Sequence, residues 1–352
     1  MPGAPTADKV SKSRFKRVAK RCLLVFVSVV ALLSVAELTL RGIGYSYRLY
    51  PEKVEFGWPK PTTIEEMFAP DPDLFWVPRV PTPYPNILDK ARTDRVSLVF
   101  MGCSCTQFGE YDHRFKPMAE AAFPGKTLPT ANVGCGGWSS FQGLQQLKRD
   151  VIPLRPAVIF VFYGWNDHWI GFGIEDRRVH EMNHGWLSKV QSLRLGQLLG
   201  RGIVGGEAWS RSTDEPPKRV PPDDFEDNLA SIVSLAREND ITPILVTAPA
   251  NHDHADIKNL QPLTLRHIRD LKMLVPLHET YVARVRKVAQ EKQVILCDLN
   301  ASFRRLDDAE VDRAFHNDGI HFTKHGGKRA AEFMFACLRE NNLLEKVLRD
   351  KQ

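Results

Sequence analysis

The chain has 352 residues, 43% hydrophobic and 26% charged, which supports a sizeable core and fits one large α/β domain with extras or two small domains. Its net charge of +6 does not point to nucleic acid: residues 1–21 carry seven basic side chains against Asp8 alone, and the rest is formally neutral. Six cysteines, at 22, 103, 105, 135, 297 and 337, are too few for a disulfide scaffold and match no zinc spacing.

The basic tail, 1–21, runs into Cys22–Ala36, which is 15 uncharged residues and extends to 19 at Leu40 if Glu37 lies near an interface. A membrane span needs about 20 apolar residues, with a lower limit near 17. Two readings compete. As an uncleaved anchor over 22–40, the Lys/Arg excess holds the N-terminus in the cytoplasm and puts everything after Arg41 outside. As a signal peptide, Ser34-Val35-Ala36 offers a cleavage site. Leu38 and Leu40 continue the apolar run and favour the anchor, and both readings export the main domain. Residues 41–93, rich in Pro and aromatics, read as an irregular connection partly packed on a domain over 94–345.

That domain reads as alternating strands and helices. Strands are expected at Val96–Met101, Leu128–Val133, Ala157–Tyr163, Thr242–Thr247 and Val294–Cys297. Helices are expected at Asp112–Phe123, Ser140–Val151, Asp223–Asn239, Pro276–Glu291 and Lys324–Glu340. The third strand is apolar throughout, as a central parallel strand buried on both faces must be. Residues 168–221 are long and aromatic and read as an insertion of the kind that forms lids or links. The alternation implies an α/β fold, a three-layer α/β/α sandwich with a mostly parallel sheet of about five strands.

Such a sheet brings Gly-punctuated segments to one edge: Gly102-Cys103-Ser104, Asn132-Val133-Gly134-Cys135-Gly136-Gly137, Gly164-Trp165-Asn166-Asp167 and Asn317-Asp318-Gly319-Ile320-His321. Alone, Ser104 is most simply a helix cap, and His321 a satisfied structural histidine. Together they supply a hydroxyl nucleophile, a base with a suitable pKa and a carboxylate to fix that base's tautomer. The Ser104 N–H, the Gly134 N–H and the Asn166 carboxamide are candidate oxyanion donors.

In order and separation, the four segments resemble the four blocks of the SGNH (GDSL-like) hydrolase superfamily, over roughly residues 95–340. The most specific matches are Gly164-Trp165-Asn166-Asp167 and Asp318-Gly319-Ile320-His321-Phe322-Thr323 followed by Gly326. The resemblance implies a flavodoxin-like fold, with Ser104 as nucleophile, His321 as base and Asp318 as its partner. Gly134 and Asn166 would then complete the oxyanion hole with Ser104. A membrane segment ahead of such a domain is similar to bacterial envelope members. The implied activity is a serine esterase that cleaves an acyl ester, acetyl or another short chain, on an envelope carbohydrate or lipid. The same site could instead transfer the acyl group to a carbohydrate hydroxyl, or a silent domain could bind polysaccharide. The mechanism requires no metal and no organic cofactor, and the expected partners are the acyl ester and the membrane.

One departure stands out. Cys103 occupies the position where the family usually has Asp or Asn. A Cys103–Cys135 disulfide would tie the first two blocks together in its place, and Cys103 or Cys105 as nucleophile is the rival to Ser104. His252-Asp253-His254 reads as a polar substrate rim before it reads as a metal site, lacking further ligands at regular spacing. Trp165, Trp169, Trp186 and Trp209 suit sugar stacking or ordinary packing, with Trp165 the best rim candidate.

Overall fold

The computed structural model describes residues 7–46, 66–170, 175–184, 189, 192–201, 217–252, 260 and 268–350. The chain forms two compact units, Met1–Leu49 with Gly185–Glu207, and Tyr50–His184 with Ala208–Gln352.

In the first unit, α1 (Ala7–Gly42) is continuous, and its section Val18–Gly42 has an apolar window of mean hydropathy 2.5. By length and composition those 25 residues can cross a membrane, since at 1.5 Å per residue they span about 37 Å against a hydrocarbon core of about 30 Å. The polar groups within the section are satisfied locally. Ser34 and Thr39 hydroxyls donate to the Val30 and Val35 carbonyls, each at 2.8 Å, and Glu37 pairs with Arg41 at 2.7 Å.

The second unit begins with an antiparallel hairpin of β1 (Phe68–Asp71) and β2 (Phe75–Pro78), then α2 (Tyr84–Thr93). The connection expected to be irregular over 41–93 is therefore regular from residue 68 onward, with Phe75, Trp76 and Tyr84 buried. Next come β3 (Leu98–Gly102), α3 (Ser104–Gln107), α4 (Tyr111–Ala122), β4 (Lys126–Thr127) and β5 (Thr130–Asn132). Then α5 (Ser140–Gln146) passes into a π-turn at Leu147–Val151, so the helix expected over 140–151 is α-helical only in its first half. The remainder is β6 (Val158–Phe162), α6 (Asp176–Asn183), α7 (Pro222–Glu238), β7 (Thr242–Val246), α8 (Leu274–Glu291) and β8 (Ile295–Cys297), followed by α9 (Leu299–Phe303), α10 (Asp308–Ala314) and α11 (Lys324–Glu340).

The sheet has five strands, all parallel, in the order β5-β3-β6-β7-β8. Numbered along the chain this is 2-1-3-4-5, the flavodoxin-like winding, and its order reverses between β3 and β6. Every residue of β3 and β6 is buried, because helices cover both faces. Helices α5, α7 and α8 pack together on one face, and α4 and α11 on the other. On the α4/α11 face Phe100 and Phe160 stack at 5.4 Å, and Phe115 meets Phe100 edge-on at 5.0 Å and Phe335 at 5.5 Å. The core thus fixes β3 against β6, the pair whose carboxyl ends carry the first and third motifs.

Candidate active site

Ser104 is the second residue after β3 and opens α3. Gly102 is dictated by crowding: a Cβ there would lie 2.6 Å from the Phe162 carbonyl oxygen of the neighbouring strand. Cys103 stays extended (φ −94°, ψ −153°), and the chain turns into α3 at the serine. As the first helical residue, Ser104 has an N–H with no intrahelical acceptor.

The acid and base come from one tight turn ahead of α11. Asp318 Oδ1 accepts the N–H groups of Ile320 and His321, each at 2.9 Å, which freezes the carboxylate. Its Oδ2 lies 2.6 Å from His321 Nδ1, and His321 Nε2 lies 2.8 Å from Ser104 Oγ. Burial alone would raise the Asp318 pKa, but the histidine and the two backbone donors outweigh it and hold the group at about 2. Burial would lower His321, yet the hydrogen bond and charge of Asp318 leave it above the ordinary 6.5. A carboxylate so placed favours the imidazolium form of His321.

The other expected members are placed unequally. Asn166 Nδ2 donates to the Trp138 carbonyl at 3.0 Å, so the carboxamide is held against the loop after β5. Its turn is closed by the buried Asp167, which accepts from Gly164 N–H at 3.0 Å and from Ser140 N–H at 2.7 Å. Burial raises Asp167 to about 6 despite those donors. Gly134 is not free to serve as an oxyanion donor: its N–H is taken by Asn132 Oδ1 at 3.1 Å, and its Cα faces Thr106 of α3. Gly137 stands three residues further along the same loop. It lies at φ +78°, next to the Trp138 carbonyl that binds Asn166, and its N–H has no acceptor among the described residues.

The Cys103–Cys135 disulfide is not formed; Cys103, Cys105 and Cys135 are all buried free thiols. Polar side chains make the tie instead. Asn132 Nδ2 donates to the Thr106 carbonyl at 2.7 Å, and Gln107 Oε1 accepts from Gly136 N–H at 2.6 Å. Hydrogen bonding to Cys103 and burial push the Cys105 thiol well up and keep it protonated, while His321 Nε2 faces Ser104. Trp165 and His252, the two rim candidates, are both buried. Trp165 is 2% exposed and stacked on His278 at 3.9 Å, and His252 Nε2 lies 3.2 Å from the Asp318 carbonyl, behind the acid. Asp253, His254, Trp186 and Trp209 lie outside the described residues.

Two further residues come from the segment expected to be an insertion. Arg219, fully buried, pairs with Asp176 at 2.7 Å and donates to the Gly137 carbonyl at 2.6 Å and to Gln142 Oε1 at 2.8 Å. Asp176 in turn accepts from Ser139 Oγ at 2.6 Å. The pair grips the loop that holds Gly137 and Trp138. Arg219→Met leaves Asp176 as an uncompensated buried charge and is expected to destabilise the fold by about 3–5 kcal/mol. Urea unfolding checks it, with Arg219→Met/Asp176→Leu recovering most of the loss.

A serine, histidine and aspartate hydrogen-bonded in series at the carboxyl edge of a parallel sheet is the arrangement of serine hydrolases on α/β folds. The model of the GDSL-like Lipase/Acylhydrolase family matches residues 97–329, and the chain belongs to that family. Similar solved structures include a lipase/acylhydrolase from Enterococcus faecalis (16% identity, 73% of this chain and 99% of that one, TM-score 0.46). A GDSL-like lipase from Bacteroides thetaiotaomicron (18%, 75% and 97%, 0.43) and an acetyl xylan esterase, AlAXEase (17%, 68% and 98%, 0.42), are also similar. No curated protein matches the chain. Family membership makes it an ester-cleaving hydrolase.

Proposed function

We propose that the protein cleaves an acyl ester of an envelope carbohydrate or lipid through an acyl-enzyme on Ser104. The observation that carries this is the continuous hydrogen-bond chain from Ser104 Oγ through His321 to Asp318. His321 Nε2 takes the serine proton as Oγ attacks the ester carbonyl and returns it to the leaving alcohol; water then repeats the sequence in reverse to release the acid. The oxyanion that develops in each half-reaction is met by the N–H groups of Ser104 and Gly137 and by Asn166 Nδ2. Gly137 replaces Gly134 in that role because its N–H is the unengaged one in the loop.

The envelope assignment rests on the apolar helix Val18–Gly42, preceded by the basic cluster of residues 9–21. An uncleaved anchor with its N-terminus in the cytoplasm sets the hydrolase domain, from residue 94 to 345, on the outer side. A fluorophosphonate probe tests the chemistry: one adduct per chain is expected, mapped by mass spectrometry to Ser104. Folded protein that takes no adduct, or takes it on Cys103 or Cys105, refutes the assignment. A C-terminal alkaline-phosphatase fusion tests the topology, and an inactive fusion refutes an exported domain.

A further inference from the structure

Outside the candidate active site, three ligand-bearing side chains from distant parts of the chain meet beside the β1–β2 hairpin. His180 in the last turn of α6 and His184 at its C-terminus stand four residues apart, with rings 4.0 Å apart. Asp73, in the hairpin turn, brings Oδ1 to 2.8 Å from His184 Nε2. One ligand atom from each of the three lies within 4.8 Å of the other two. We propose that Asp73, His180 and His184 bind one divalent transition-metal ion of the zinc class, with a fourth position left to solvent.

The donor set suits a borderline cation, since two imidazoles and a carboxylate are standard zinc ligands at about 2.0–2.2 Å. A tetrahedral site at those lengths needs ligand atoms about 3.3 Å apart. The His184–Asp73 contact therefore opens by roughly half an ångström, and His180 closes from within its 4.8 Å range. The supporting contacts are also those of a metal site. His184 Nδ1 lies 2.9 Å from the His180 carbonyl, which places a proton on Nδ1 and leaves Nε2 for the ion. Asp73 Oδ2 accepts from Arg149 at 3.0 Å, so the carboxylate is oriented with Oδ1 toward the histidines.

Local charge points the same way. Arg149 is surrounded by Asp71, Asp73 and Asp150, at 2.7, 3.0 and 2.9 Å. Three carboxylates against one guanidinium leave a deficit of two positive charges, which a divalent ion closes; Lys148 and Glu181, the other charges near His180, offset each other. On binding, the Nε2 lone pair of His184 forms the metal–nitrogen bond while Nδ1–H stays on the His180 carbonyl. The ion would lock α6 to the hairpin, and α6 carries Asp176 at its other end.

Titration of the untagged, chelator-stripped full chain with zinc chloride tests this, with cobalt(II) as spectroscopic probe. Expected are one equivalent of zinc bound, a rise in melting temperature, and a cobalt spectrum of four- or five-coordinate nitrogen/oxygen type. All are lost in His180→Ala and in His184→Gln, while fluorophosphonate labelling is unchanged. The His184 side chain is 41% exposed, so His184→Gln folds even where His180→Ala does not. No zinc binding, binding retained in His184→Gln, or a sulfur-to-cobalt charge-transfer band that assigns the ion to the thiols overturns the proposal.

Discussion

Ser104→Ala lowers kcat for p-nitrophenyl acetate by about five to six orders of magnitude, the loss typical of removing the nucleophile of a serine hydrolase. The protein stays folded, because the hydroxyl makes its hydrogen bond outward to His321 Nε2 while the backbone of α3 holds through Phe108 N–H to the Ser104 carbonyl at 2.9 Å. The proposed mechanism makes Ser104, His321 and Asp318 one unit, so His321→Ala combined with Ser104→Ala is expected to lose little more than either alone. The residual rate above water comes from the oxyanion donors. Measuring kcat of both single variants and the double variant checks this, and additive losses would show that the three side chains do not work in series.

Asp318→Asn is expected to lower kcat by about 10⁴-fold, because an amide in that position favours the wrong imidazole tautomer and cannot stabilise the imidazolium. It also moves the pH profile. In the native chain His321 must be deprotonated to act as base, so kcat/KM falls as pH drops through a pKa that Asp318 holds above 6.5. Removing the carboxylate lowers that pKa, and the acidic limb shifts to lower pH while the plateau drops. Stability follows the same pair. The raised His321 pKa contributes stability that is present below about 6.5 and lost as pH rises through the folded value. The lowered Asp318 contributes above about 3.8 and is lost as pH falls toward about 2. A pH–rate profile of the variant with an unmoved acidic limb would separate Asp318 from His321.

Apolar runs and their turn residues made most of this architecture legible. The central strands read correctly because burial on both faces forces uninterrupted hydrophobic residues, as in Val158–Phe162. Asp318 and His321 meet within one turn because they are three residues apart, whereas Ser104 reaches them from 217 positions away. What escaped notice depends on which partner a polar group chooses. Nothing in Asn132-Val133-Gly134-Cys135-Gly136-Gly137 says that Asn132 folds back on Gly134 while the Gly137 N–H meets no acceptor among the described residues. The hairpin Phe68–Pro78 was hidden because its strands are only four residues long and carry prolines. Arg219 was lost in a segment whose composition suggested a lid. A buried arginine announces itself only through its partner, and Asp176 stands 43 residues away.

The hydrogen bond between Ser104 and His321 joins residues 217 positions apart. During synthesis from the N-terminus the serine, its strand and its helix are complete long before residue 321 is added. Until then Ser104 carries an ordinary hydroxyl with no base to take its proton. On the proposed mechanism the chain is therefore chemically silent for most of its own production and gains its nucleophile in one late step, when the turn ahead of α11 docks. Long-range closure of this kind slows folding, and on that mechanism the same delay keeps the unfinished protein from reacting with the esters around it.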